Sequence, residues 1–327
     1  MTLQHAPAAP SGEQRLANMP VAFFASVMGM GGLTLAWTKA GHVLGTNMAI
    51  PAVLGLVALA LFALLTVAYA AKFLLHREAV LEEYHHPVKL HFLPSISISL
   101  LLLSIVALGQ ARTAALPLFG AGVVLHFALT LMVLHNWFNK EHFQTAHLNP
   151  AWFIPIVGNV LVPLSGVALG FVELSWFFFS IGIVFWVVLF AIIVNRVLFH
   201  NPLPERLSPT LFILIAPPAV GFLSYVKLVG EVDAFARVLF YFALFLTVFL
   251  ATQLPRLMRA RFFLSWWAYS FPLAAITVAS LEMAARLKAP VLQGIAVVLL
   301  AAVTLAVAGL VVRTLLAVGR REICLPE

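Results

Sequence analysis

The sequence predicts an all-α integral membrane protein of ten transmembrane helices. Three observations predict it. First, 63% of its 327 residues are hydrophobic and only 9% are charged, against about 25% charged in an ordinary soluble domain. That is too little charge to coat a globule of this size, so most of the surface must face lipid. Second, apolar stretches near the roughly 20 residues that cross a bilayer recur along the chain. Third, the basic residues divide unevenly between the two sides that those stretches define.

The apolar stretches place spans at 20–37, 49–74, 93–109, 116–138, 152–170, 174–198, 208–228, 233–254, 265–285 and 290–318. Connections are short, which predicts antiparallel sequential neighbours. Residues 1–19 read as a short disordered cytoplasmic tail, 20–319 as the transmembrane domain and 320–327 as a second cytoplasmic tail. The first tail lacks the basic-then-apolar layout of a cleaved signal. The single cysteine, Cys324, leaves the redox compartment undetermined. The ending Cys-Leu-Pro-Glu is a poor prenylation box.

A net charge of +7 could point to nucleic acid, but an orientation signal explains it better, and no nucleic-acid partner is expected. Thirteen Lys and Arg fall on the N-terminal side of the spans, among them Arg15, Lys72, Arg196, Arg256 and Arg320, and six on the other: Lys39, Arg112, Lys227, Arg237, Arg286 and Lys288. Cytoplasmic loops keep the excess. Both termini are therefore expected in the cytoplasm, in an inner (plasma) membrane.

Proline separates the odd helices from the even ones. Pro155 and Pro163 lie within helix five, Pro217 and Pro218 within seven, Pro272 within nine, and Pro94 starts three. Even helices carry proline only near their starts, at Pro51, Pro117 and Pro290. Interior proline frees a carbonyl and bends the helix, which is tolerated where the freed group faces protein or a watery cavity. The odd helices should form an inner ring about a central pore, in five helical hairpins starting near 20, 93, 152, 208 and 265. Pro155, Asn159, Pro163 and Gly166 share one face of helix five; Pro217, Gly221 and Ser224 share one of helix seven; Met28, Gly31 and Gly32 sit together on helix one. Such faces fit either close packing or the lining of a path.

Ionisable residues inside a membrane are functional candidates. Every acid except Glu282 falls in a tail, a loop or a helix end, and no helix centre carries the carboxylate–histidine chain of a proton pump. Glu282 is either a coupling carboxylate or half of a mouth ion pair with Arg286 at i+4; a fixed carboxylate in an anion path would repel the ion. His126 and His135, on an outer helix, read as structural. The second loop holds His76, His85, His86 and His91 with Glu78, Glu82 and Glu83. A metal site is one reading; a solvated loop whose His86–Pro87 step ends a short helix is the other. Phosphate loops, nucleophile elbows and His-Glu-x-x-His are absent from the sequence. No enzyme activity, cofactor or metal is expected.

Five segments carry a resemblance: Met-Pro-Val-Ala-Phe-Phe at 19–24 with Gly-Leu-Thr-Leu-Ala-Trp at 32–37, Glu-Tyr-His-His-Pro-Val-Lys at 83–89, Asn-Pro-Ala-Trp-Phe-Ile-Pro-Ile-Val-Gly-Asn at 149–159, Gly-Glu-Val-Asp at 230–233, and Ser-Trp-Trp-Ala-Tyr-Ser-Phe-Pro-Leu at 265–273. In this order they resemble the tellurite-resistance/dicarboxylate transporter family, which takes in TehA-type channels, yeast malate permeases and guard-cell slow-type anion channels. The resemblance implies ten helices in five hairpins around a pore, a homotrimer with one pore per subunit, and a gate at the phenylalanine before the helix-nine proline, here Phe271. One departure is Val27, where bacterial relatives often carry a mid-helix proline. The expected function is passive conduction of small monovalent anions; the alternative is a carrier for C4-dicarboxylates or tellurite-type oxyanions, proton-coupled through Glu282. Phe24, Pro155, Asn159, Pro163, Pro217, Gly221, Ser224 and Pro272 are the expected pore-lining or kink residues.

Overall fold

The computed structural model describes residues 12–140, 143–259 and 261–325. Residues 1–11 of the expected N-terminal tail, Glu141 and the last two residues lie outside the described residues. Among the described residues nine helices are long and apolar enough to cross a membrane: α1 (Val21–Leu44), α2 (Ala49–Leu75), α3 (Lys89–Gln110), α4 (Arg112–Asn139), α6 (Val172–Phe199), α7 (Glu205–Val229), α8 (Ala234–Leu257), α9 (Leu264–Leu287) and α10 (Pro290–Gly319). Between α4 and α6 lies a shorter apolar helix, α5 (Pro150–Gly166). Among the described residues there is no strand. The protein is a multi-pass, all-helical membrane protein.

The expected fifth span, at 152–170, is thus the short one. Two of its four segments, Pro150–Phe153 and Gly158–Leu161, are 3-10 helix, and the other two, Ile154–Val157 and Val162–Gly166, are α. A 3-10 residue rises about 2.0 Å against about 1.5 Å for an α residue. The mixture stretches α5 to about 30 Å, the thickness of the hydrocarbon core.

The same feature marks every odd helix. Each begins in 3-10 form: Val21–Phe23, Lys89–Phe92, Pro150–Phe153, Glu205–Ile215 and Leu264–Tyr269. The even helices are unbroken α-helices. Pro20, Pro94, Pro150, Pro209 and Pro272 lie in or beside these tight turns; each lacks the N–H that would continue the α ladder.

Burial divides the helices the same way. Of the apolar windows of α1, α3, α7 and α9, 67–72% is buried, against 22–39% in α2, α4, α6, α8 and α10. α5 is buried along almost its whole length. The even helices turn residues such as Leu56, Val67, Phe245 and Leu305 outward, each more than 60% exposed, as a lipid face requires. Sequential helices pack as pairs, α1 on α2 through α9 on α10, and each odd helix also touches the next, with α9 returning to α1.

Three expectations need correction. The tail at 1–19 is not wholly irregular: Gly12–Ala17 is helical, and Arg15 donates to the carbonyls of Ile323 and Arg321, both at 3.5 Å. α1 does not end at 37 but runs to Leu44, because Lys39 is ion-paired inside it. α8 runs past 254, so Pro255 sits in its last turn and the even helices are not proline-free beyond their starts.

Candidate functional site

The irregular N-terminal halves of the odd helices surround a narrow cavity of about 60 Å³. Met28, Ile98, Val157, Pro217 and Trp267 line it, one residue from each odd helix. Its walls are almost wholly apolar, and the hydroxyl of Ser95 there is committed to the Phe92 carbonyl at 2.5 Å. A second cavity, about 450 Å³, lies among the C-terminal halves of the same helices, with Leu35, Leu102, Leu164, Leu223 and Val278 in its wall. Three residues line both: Leu161 from α5, Val220 from α7 and Phe271 from α9. They are the partition between the cavities.

Phe271 follows the 3-10 turn Leu264–Tyr269 and precedes Pro272. Its ring is only partly buried, whereas Pro272 beside it is buried. α1 presents Gly32 to its back: a Cβ there would meet Phe271 Cδ2 at 3.3 Å. The glycine patch of helix one is therefore a packing seam for part of its length, with Gly29 against Ser270 and Trp267 and Gly31 against Leu102.

Of the other expected pore-lining or kink residues, Pro217 and Pro272 line the narrow cavity. The rest turn elsewhere. Phe24 packs edge-on against Phe62 and Tyr69 of α2, each with ring centroids 6.0 Å apart. Asn159 points toward α4, donating to the Ile156 carbonyl at 2.7 Å and to Thr130 at 3.2 Å. Pro155 offers its carbonyl to the Thr130 hydroxyl at 2.7 Å. Gly221 faces Ile183 and Leu239 on α6 and α8. Ser224 donates to the Val160 carbonyl, which lies one 3-10 turn before Pro163, a residue with no N–H to give. Neither Pro163 nor any of these five lines either of the two cavities. The hydroxyls of Thr130 and Ser224 and the Asn159 amide satisfy carbonyls of the broken backbone of α5.

Charge enters the wide cavity alone. Lys39, His42, Lys227, Glu282 and Arg286 line it. Glu282 is ion-paired with Lys39 of α1 and with Arg286 at 2.5 Å, and Arg286 Nη1 donates to the Gly230 carbonyl at 2.5 Å. This clasp ties α1, α9 and the α7–α8 turn together.

The second-loop residues have separate partners. His86 Nδ1 accepts from the amides of Val88 and Lys89 and closes the helix Arg77–His85. His91 is stacked on Trp152, with centroids 4.6 Å apart, and accepts from Trp137 Nε1 at 2.9 Å. His126 is buried with Nδ1 2.9 Å from the Ser97 hydroxyl. Among the described residues no three His, Cys, Asp or Glu converge as a metal site would require. Sequence reasoning missed Leu161 and Val220, which carry no chemical label, and the burial of Lys72 and Glu83, an ion pair at 3.2 Å.

The family profile described as voltage-dependent anion channel (SLAC1) matches residues 18–315. The chain belongs to this family. It is 29% identical over 313 residues to the S-type anion channel SLAH3 of Arabidopsis thaliana, covering 92% of this chain and 48% of the plant protein. Identity is 30% over 252 residues to SLAH1 of the same plant, 75% of this chain and 65% of that one. With the tellurite resistance protein TehA homolog of Haemophilus influenzae it is 25% over 260 residues, 79% of each. The chain spans about half the length of the plant relatives SLAH3 and SLAH2. The SLAC1 family is one of anion channels and transporters, not of enzymes.

Proposed function

We propose that the protein is an anion-selective channel that conducts small monovalent anions passively along the axis of the two cavities, with Phe271 as the gate. The observation that carries this reading is the partition: the two cavities, built from the same five helices, meet at Leu161, Val220 and Phe271. An apolar constriction of that kind expels water and stops ions until the ring moves. The family membership, and the S-type anion channels among the relatives, support the choice of ion. With no charge lining the narrow cavity, an ion there sheds water for weak contacts only, so selectivity follows dehydration cost and favours large, weakly hydrated anions.

In this reading the five helix pairs are hairpins with the odd helices as an inner ring. The protein is a homotrimer with one pore per subunit, in the inner membrane, with the Gly12–Ala17 and Cys324 ends cytoplasmic. The contacts between Arg15 and the 321–323 segment support a common side for those ends. The carrier alternative would need Glu282 free to exchange protons; its two ion pairs argue against that.

Phe271→Ala tests the gate. Truncating a packing phenylalanine costs roughly 3–5 kcal/mol and creates no current. Truncating a gate opens the path and leaves the fold intact. Large constitutive anion currents from well-folded Phe271→Ala protein in planar bilayers, and smaller ones from Phe271→Leu, are expected. A stable Phe271→Ala protein that conducts no more than wild type would sink the reading.

A further inference from the structure

The charge in the two cavities is unequal, and one residue stands apart. Three permanent cations and one carboxylate line the wide cavity; the narrow one has no charged lining. Two of the cations, Lys39 and Arg286, are held by Glu282. Lys227, on the last turns of α7, has no ion-pair or hydrogen-bond partner among the described residues and is exposed. Glu231 lies four residues on and makes no ion pair with it, and Asp233 is taken up by the Tyr225 hydroxyl and the Ala236 amide.

We infer that Lys227 is the residue that draws anions into the wide cavity, and that Glu282 acts as a positioning residue that keeps Lys39 and Arg286 at the wall. This rests on the two cavities forming one conduction path. An ammonium on a flexible stem is a strongly hydrated point charge. It raises the local anion concentration without building a tight site, so ions leave as readily as they enter. Anions arriving from the wide-cavity side meet net positive charge before the partition. Those arriving through the narrow cavity meet none in its walls. The open pore therefore rectifies, passing anions more readily from the wide side, and it does so less as salt screens the charge over a Debye length of about 10 Å at 0.1 M and about 3 Å at 1 M.

The test uses Phe271→Ala as the conducting background in planar bilayers of neutral lipid with chloride. Adding Lys227→Gln should cut the current of anions entering from the wide side about three-fold at low salt, the effect expected of one charge several ångströms from the path in water. Current in the other direction should change little, and the difference should vanish near 1 M salt. Lys227→Glu should cut it further, and Lys227→Arg should restore it. Intact Phe271→Ala currents whose rectification and salt dependence are unmoved by Lys227→Glu overturn the inference while leaving the channel reading standing. If Phe271→Ala carries no current, the channel reading fails by itself. Chloride NMR line broadening on purified wild-type and Lys227→Glu protein then decides the recruitment site: reduced broadening in the variant upholds it, and equal broadening overturns it.

Discussion

Gly32 on α1 and Phe271 on α9 face each other so closely that a Cβ at Gly32 would lie 3.3 Å from Phe271 Cδ2 and 2.9 Å from the Ala274 Cβ. The partition is thus backed by a helix with no side chain to spare at that point. The ring is held from behind by backbone, while its open side borders both cavities. The space available at Gly32 sets where Phe271 can rest.

Gly32→Ala should therefore act on the gate from outside the pore. The added methyl meets a helix-borne Cβ, which cannot swing away, so α1 and α9 must part by a few tenths of an ångström. Overpacking of this kind costs about 1–3 kcal/mol. The expected result is a modest loss of thermal stability with a small leak current, well below that of Phe271→Ala. A fully closed Gly32→Ala channel with the stability loss present would mean that the seam packs the helices without setting the ring.

Glu282→Gln separates channel from carrier. The substitution keeps the shape and removes the charge that holds Lys39 and Arg286. In the channel reading, transport keeps its pH dependence, and anion currents in the Phe271→Ala background persist. Uptake driven by a proton gradient in wild type and abolished by Glu282→Gln, with no current from either protein, would favour the carrier.

Asp233 caps α8 from just outside the span, accepting from the Ala236 amide at 2.9 Å and the Tyr225 hydroxyl at 2.5 Å. The Ala236 amide, followed by the Tyr225 hydroxyl, holds its carboxyl below the usual carboxylate value. A lowered folded-state value means that the unfolded chain takes up the proton first as pH falls. The contribution is complete above the unfolded value, near pH 4, and is lost as pH drops through the folded one. Thermal unfolding of wild type and Asp233→Asn should differ at neutral pH and converge in acid. A gap that persists undiminished at pH 3 would contradict the assignment.

The span pattern was legible because lipid-facing and core-facing residues are alike apolar, which makes each crossing stand out as a run. The same uniformity hid which face turns inward. Asn159, Gly221 and Ser224 share helical faces with prolines, and spacing alone could not tell a lined path from a packed one. What decides is the backbone: each broken turn of α5 needs a donor, and Thr130, Asn159 and Ser224 supply them. Lys39 read as a loop residue because a lone charge ended the apolar run at 37, and Lys72, near the end of the run at 49–74, read as an orientation charge. Their partners, Glu282 and Glu83, lie elsewhere in the chain, and such pairing leaves no local mark. Leu161 and Val220, which line both cavities, gave no signal at all, since every span contains such apolar residues. Phe271 was singled out by its Phe-Pro context and the family resemblance; its Gly32 contact was not foreseen.

The Lys72–Glu83 pair gives the sharpest stability test. Both side chains are almost wholly enclosed, 2% and 6% exposed, with Nζ 3.2 Å from Oε2. Lys72 also donates to the Met19 carbonyl at 2.8 Å, while Glu83 accepts from the Val21 amide at 3.1 Å and the Tyr69 hydroxyl at 2.7 Å. The pair therefore anchors the entry of α1 to α2 and to the helix that follows it. Each charge is enclosed only because the other is there. Removing one partner strands the other, a loss of about 3–5 kcal/mol for buried pairs, whereas replacing both with neutral groups of similar size is often close to neutral. Lys72→Met should sharply lower the denaturation midpoint. Glu83→Gln should do so less, since an amide oxygen can still accept from Val21 while Lys72 keeps the Met19 carbonyl. Lys72→Met with Glu83→Gln should then be more stable than Lys72→Met alone, with a coupling of roughly 2 kcal/mol. None of these variants should alter conductance in the Phe271→Ala background, because neither residue lines either of the two cavities. Strictly additive losses in the double variant would show that the two charges, though in contact, do not depend on each other.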